Sequence, residues 1–111
     1  MSHEKHQHVA GFVKADATII SGEGFTVTRD EQDPNCGGTY IITFDNEFAH
    51  PPAVVATLYN DKKDLSVHAV ITYAISTKEV KILTGDADQK YDGRQGKPED
   101  SNFSFIAFGE V

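Results

Sequence analysis

The fold is decided by Thr39-Tyr40-Ile41-Ile42-Thr43-Phe44-Asp45-Asn46-Glu47-Phe48-Ala49-His50-Pro51-Pro52-Ala53-Val54-Val55-Ala56-Thr57-Leu58-Tyr59. β-Branched and aromatic residues fill positions 39–44 and 53–59, while Asp45, Asn46 and the Pro51-Pro52 pair separate the two runs. Such side chains fit a pleated, half-buried surface, and prolines cannot donate to a strand ladder. The stretch therefore predicts two β-strands with a turn-bearing connection between them.

Working upstream, residues 9–14 and 17–20 are the first strand candidates, followed by a turn at Ser21-Gly22-Glu23-Gly24. Phe25-Thr26-Val27-Thr28-Arg29 then alternates, with Phe25 and Val27 on one side and Thr26 and Thr28 on the other. That is the pattern of a sheet wet on one surface. The polar excursion 30–38 is long enough to cross between sheets.

Downstream, Asn60-Asp61-Lys62-Lys63-Asp64 reads as a charged turn. Residues 66–74 alternate, with Val67, Ala69, Ile71 and Tyr73 on one side, and 80–84 is a short strand. Residues 85–101 carry no periodicity, which predicts a long loop, and loops of that length mark function or disorder. The closing run places Phe103, Phe105 and Ala107 on one face. No dozen residues show apolar positions at helical spacing without a break, so no helix longer than a short turn is expected. About eight strands at this spacing predict an all-β fold, an antiparallel two-sheet β-sandwich of jelly-roll-like type, with a closed barrel as the alternative.

At 111 residues the chain affords one core, so residues 9–111 are expected to form a single domain behind a flexible, His-rich segment 1–8. The formal charge of -7 and pI near 5.0 argue against nucleic acid, whose recognition needs clustered Lys and Arg. No run of about 18 apolar residues is present, so no membrane insertion is expected. Residues 1–8 also lack the basic start and apolar middle of a secretory signal. Cys36 has no intrachain partner and sits in a Gly-rich turn. His50 and His68 stand apart from any Ser or Cys motif, and no carboxylate pair lies in apolar surroundings, so no enzyme signature is found.

Gly11-Phe12-Val13-Lys14-Ala15-Asp16-Ala17-Thr18-Ile19-Ile20-Ser21-Gly22-Glu23-Gly24-Phe25-Thr26-Val27-Thr28-Arg29, Gly38-Thr39-Tyr40-Ile41-Ile42-Thr43-Phe44, Phe48-Ala49-His50-Pro51-Pro52-Ala53-Val54-Val55-Ala56-Thr57 and Phe103-Ser104-Phe105-Ile106-Ala107-Phe108-Gly109 resemble the C-terminal β-domains of bacterial collagen-like and phage tail-fibre-like proteins. The strand around Pro52 is more loosely similar to H-type lectins, although this chain has no tryptophan to build their usual sugar-binding aromatic. The resemblance implies a homotrimer, and the function expected first is multivalent, lectin-like glycan recognition, with a structural trimerisation or fibre-tip domain without a small-molecule ligand as the alternative. The localisation is left open, a chain without a signal peptide being compatible with an extracellular, virion- or injection-system-associated setting. The apolar faces in excess of one core agree, since sibling subunits would cover them.

Two clusters carry candidate chemistry. In an extended strand His6 and His8 project to the same side, and three chains could bring six imidazoles to a transition metal on a three-fold axis. Tail-fibre-like trimers use His-x-His pairs in that way, so the resemblance sharpens the expectation; the alternative is a flexible terminus. The segment 85–94 gathers Asp86, Asp88, Tyr91, Asp92 and Arg94. Carboxylates there would suit Ca²⁺, or Tyr91 would stack on a sugar of a cell-surface glycan while the carboxylates and Arg94 bind its hydroxyls; the plain alternative is a solvated loop.

Overall fold

The computed structural model describes residues 5–30, 37–59, 68–91 and 94–111. Among them stand nine strands and no helix: β1 (His6–Val13), β2 (Ile19–Gly22), β3 (Phe25–Arg29), β4 (Thr39–Phe44), β5 (Ala53–Leu58), β6 (His68–Tyr73), β7 (Glu79–Tyr91), β8 (Arg94–Pro98) and β9 (Phe103–Glu110). They form two antiparallel sheets, β2-β1-β9-β5 (sheet A) and β3-β4-β7-β6 (sheet B), with β8 also pairing along β7. The two-sheet sandwich expected from strand spacing is the fold that forms. Sheet A is centred on the first and last strands of the chain, since β1 pairs with β9 over its whole length from His6 opposite Glu110 to Val13 opposite Phe103.

The core follows from period-two alternation. Tyr40, Ile42 and Phe44 of β4, Val80 and Ile82 of β7, and Phe103, Phe105 and Ala107 of β9 are all buried between the sheets. Aromatic pairs stitch one sheet to the other. Phe25 of β3 meets Phe105 of β9 edge to face at 4.9 Å, and Tyr40 of β4 meets Phe103 at 4.9 Å. Each such pair is worth about 0.5–1.5 kcal/mol beyond the area it hides.

Gly11 makes one of these pairs feasible. Its neighbours Val9 and Val13 point inward, and a Cβ on Gly11 would lie 2.2 Å from Cζ of Phe25. The missing side chain is the space that the Phe25 ring fills. At Gly38 the constraint is backbone: φ is +79°, and a Cβ would lie 2.3 Å from the Thr84 carbonyl oxygen.

Three boundaries and the facing of one strand differ from the sequence reading. β1 begins at His6 because its polar residues alternate with a half-buried Gln7, whose amide donates to the Asn46 carbonyl at 3.0 Å. β2 starts at Ile19 instead of residue 17, since Ala17 takes a positive φ of 74° in a turn closed by the Ala17 N–H to Lys14 carbonyl bond of 2.8 Å. In β6 it is Val70 that packs on the core, while Ile71 and Tyr73 face solvent. Most importantly, the expected loop 85–101 is largely strand: β7 runs on to Tyr91 and β8 returns alongside it, with Tyr91 opposite Arg94. Ladder hydrogen bonds come from the backbone, so polar side chains do not forbid the hairpin.

Gly11→Ala is expected to lower the unfolding free energy by about 1–3 kcal/mol, the usual cost of forcing extra volume into a packed core. A urea unfolding curve checks this through a lower midpoint at unchanged slope.

Candidate functional site

β9 is the source of the candidate site. One face of the strand, Phe103, Phe105 and Ala107, is covered by sheet B, yet the other face is also apolar: Ile106 is 54% and Phe108 50% exposed. The ladder arranges the outer surface of sheet A in rows. His8, Phe108 and Ala53 form one, Ala10, Ile106 and Val55 the next, and Phe12, Ser104 and Thr57 the third, with His6 opposite Glu110 at the end. Val55 is 70% exposed. Phe12 packs edge-on against Tyr59 at 5.0 Å, and the ring of His6 lies flat on Phe108 at 5.4 Å.

This surface is nearly free of charge. Three rows of three and the His6–Glu110 pair contain one carboxylate and no Lys or Arg, in a chain of which 24% is Asp, Glu, Lys or Arg. A solvated sheet face would be expected to hold its share of those charges. Between β1 and β5 the surface dips into an open groove of about 480 Å³, lined by Phe12, Ser21, Val55, Thr57, Ser104 and Ile106. Contiguous apolar surface of this kind marks an interaction site.

The second concentration of chemistry lies at one end of the sandwich. Asp100 accepts from the Arg29 guanidinium at 2.5 Å and from the Gly38 N–H at 2.7 Å. The Arg29 guanidinium also lies over the Tyr40 ring at 5.1 Å, and the Tyr40 hydroxyl donates to the Ala15 carbonyl at 2.7 Å while accepting from the Ser101 N–H at 3.3 Å. The Ala15 N–H donates to the Asn102 side-chain carbonyl at 2.8 Å. Burial first, and then the Asp100 carboxylate, push the Tyr40 phenol up to about 12. This cluster ties the segments around residues 15, 38 and 101 to the sheet edge. Its donors and acceptors bond one another, so it acts as a clasp within the chain. Nearby, the exposed Asp16 carboxyl is held below its usual value by hydrogen bonds from Thr18.

The sequence-predicted residues fall in different places. Asp86 is only 4% exposed on β7, where its carboxyl has partners within the protein and is not presented to a surface ligand. Asp88 and Tyr91 are positions of β7 and Arg94 opens β8, all in a hairpin where a loop was expected, and Asp92 lies outside the described residues. His6 and His8 are both exposed on the outer surface of sheet A, two residues apart on one strand face. Among the described residues no three His, Cys, Asp or Glu side chains gather. His50 stands 3.9 Å from Glu110, at the rim of the same surface. The residues that sequence reading missed are Val55, Ile106 and Phe108. The signal was present: in Phe103-Ser104-Phe105-Ile106-Ala107-Phe108 both alternating sets are largely apolar.

No family model, no curated protein and no solved structure matches this chain.

Tyr40 yields an alkaline prediction. A phenol raised in the folded state stabilises the fold fully below its unfolded value near 10, and that contribution is lost as pH climbs from 10 to about 12. Tyr40→Phe is expected to be less stable at neutral pH, through loss of the Ala15 bond, and to lose this part of the alkaline decline. Thermal melts of both proteins between pH 7 and 12 measure the difference.

Proposed function

We propose that this domain is a structural assembly module, a β-sandwich that associates with copies of itself to form a homotrimer. The observation that carries the reading is the outer surface of sheet A, where Val55, Ile106 and Phe108 are at least half exposed and a single carboxylate stands at the edge. Fully burying such a side chain is worth about 1.5–3 kcal/mol, and roughly half of that is still to be gained at each. Interface centres are depleted of charge in the same way. The copy number of three is proposed on the resemblance to trimeric fibre-end domains. Glycan recognition by the 85–94 segment has less support, because Asp86 is withdrawn into the core. Three copies on one body would still raise the avidity of any weak site they carry.

Wild-type protein is expected to sediment at three times the 12.2 kDa chain mass. Phe108→Asp places a charge at the centre of the surface and is expected to weaken association at least about a hundredfold, the scale of a central aromatic anchor. The variant should sediment as one chain with an unchanged far-ultraviolet dichroism spectrum. A wild type that sediments as one chain, or a variant that still forms trimers, contradicts the reading.

A further inference from the structure

We infer that residues 18–23 are a detachable strap. They open as a unit while the sandwich stays folded, and in opening they uncover the outer edge of β1 and take Ser21 and Gly22 out of the groove beside it. The device lies within one chain and stands whether or not copies assemble.

The strap is weakly held along its whole length. Thr18, Ile19, Ile20, Ser21, Gly22 and Glu23 are six consecutive exposed residues. The strand they contain, β2, lies at the edge of sheet A and pairs with β1 alone. That ladder is short and carries a bulge, which sets Ser21 opposite Phe12 and Ile19 opposite Val13 and passes over Ile20. Ile20 is 52% exposed, so even the apolar residues of β2 bring little buried surface to the protein. A segment opens at the cost of the contacts it alone makes, and one with few buried apolar side chains opens far more readily than the whole domain unfolds. β9 stands at the other extreme, with a strand on either side and Phe103, Phe105 and Ala107 in the core.

Both ends of the strap are anchored, and each anchor is followed by a hinge. On one side the Ala15 N–H donates to Asn102, and its carbonyl accepts from Arg29 and Tyr40. On the other, Phe25 is buried against Phe105. Between anchors and strap the backbone enters the left-handed region twice, at Ala17 with φ +74° and at Gly24 with φ +90°. That conformation is unfavourable for a residue with a Cβ, so the closed strap keeps Ala17 under strain. The closed seat also depends on Gly22, where φ is +100° and a Cβ would lie 2.2 Å from the Ala10 carbonyl oxygen. A side chain at Gly22 therefore unseats the strap without entering the core.

Amide hydrogen exchange of the whole chain, read residue by residue by NMR in increasing sub-denaturing urea, tests the device. The amides that join β1 and β2, with Lys14 reporting through its 2.8 Å bond to the Thr18 carbonyl, are expected to exchange faster than those joining β9 and β5. The difference should be at least about a hundredfold, and urea should barely change the faster rate, because opening the strap exposes little surface. Gly22→Ala is expected to speed β1–β2 exchange by a further factor of roughly ten, since alanine is strained at positive φ, while β9–β5 exchange and the urea midpoint stay unchanged. β1–β2 amides that exchange at the β9–β5 rate with the same urea dependence would show that the strap opens only when everything does, and would overturn the inference. So would a Gly22→Ala protein that fails to fold, or one in which both ladders exchange faster by the same factor.

Discussion

A strand with two apolar faces and one covering sheet sets the terms for this molecule. β9 turns Phe103, Phe105 and Ala107 into the sandwich, where the rings of Tyr40 and Phe25 meet two of them, and turns Ile106 and Phe108 outward. Both demands are met by one backbone, because alternate residues of a strand point to opposite sides. The inward set fixes the fold. The outward set is covered by no second sheet among the described residues, only the His6 ring lying on Phe108, and its neighbours Val55, Ala10 and Ala53 extend it across three strands. Contiguous apolar surface of this character marks an interaction site, and that connects the packing of the core to the function proposed here.

Polar groups are treated in the opposite way. Arg29, Tyr40, Asp100 and Asn102 satisfy one another and the backbone at one end of the sandwich, and the hydroxyl of the buried Thr84 donates to the Glu99 carbonyl at 2.5 Å. Among the described residues no buried side-chain nitrogen or oxygen lacks a hydrogen-bond partner. Since an unpaired buried polar group costs about 1–3 kcal/mol, this end is settled within one chain. Among the described residues the buried polar groups are thus satisfied, while Val55, Ile106 and Phe108 are left exposed. That contrast favours assembly over small-molecule chemistry as the role of the domain.

Much of this was legible in the sequence, and what was not has identifiable causes. β3 and β4 end where alternation and flanking polar residues say they should, since strands half buried on one face write period two into the sequence. The inward triad of β9 was readable for the same reason. The β7–β8 pairing was missed because its residues are polar and show no alternation, while the ladder is made by backbone groups that polar side chains leave free to pair. The 85–94 segment consequently read as a ligand loop, although Asp86 points into the core. The alternation in β6 was seen, but not its direction. Period two cannot say which set faces the partner sheet, and the set holding Ile71 and Tyr73 faces outward.

The central claim is that Ile106 and Phe108 are covered by another copy in solution. Hydroxyl-radical footprinting read by mass spectrometry, performed across a concentration series, measures that coverage directly. The account predicts that oxidation of Ile106 and Phe108 falls several-fold as the protein is concentrated, while that of Ile20, on the far edge of the same sheet, stays constant. Oxidation of Phe108 that keeps its dilute-solution rate at every concentration would contradict it.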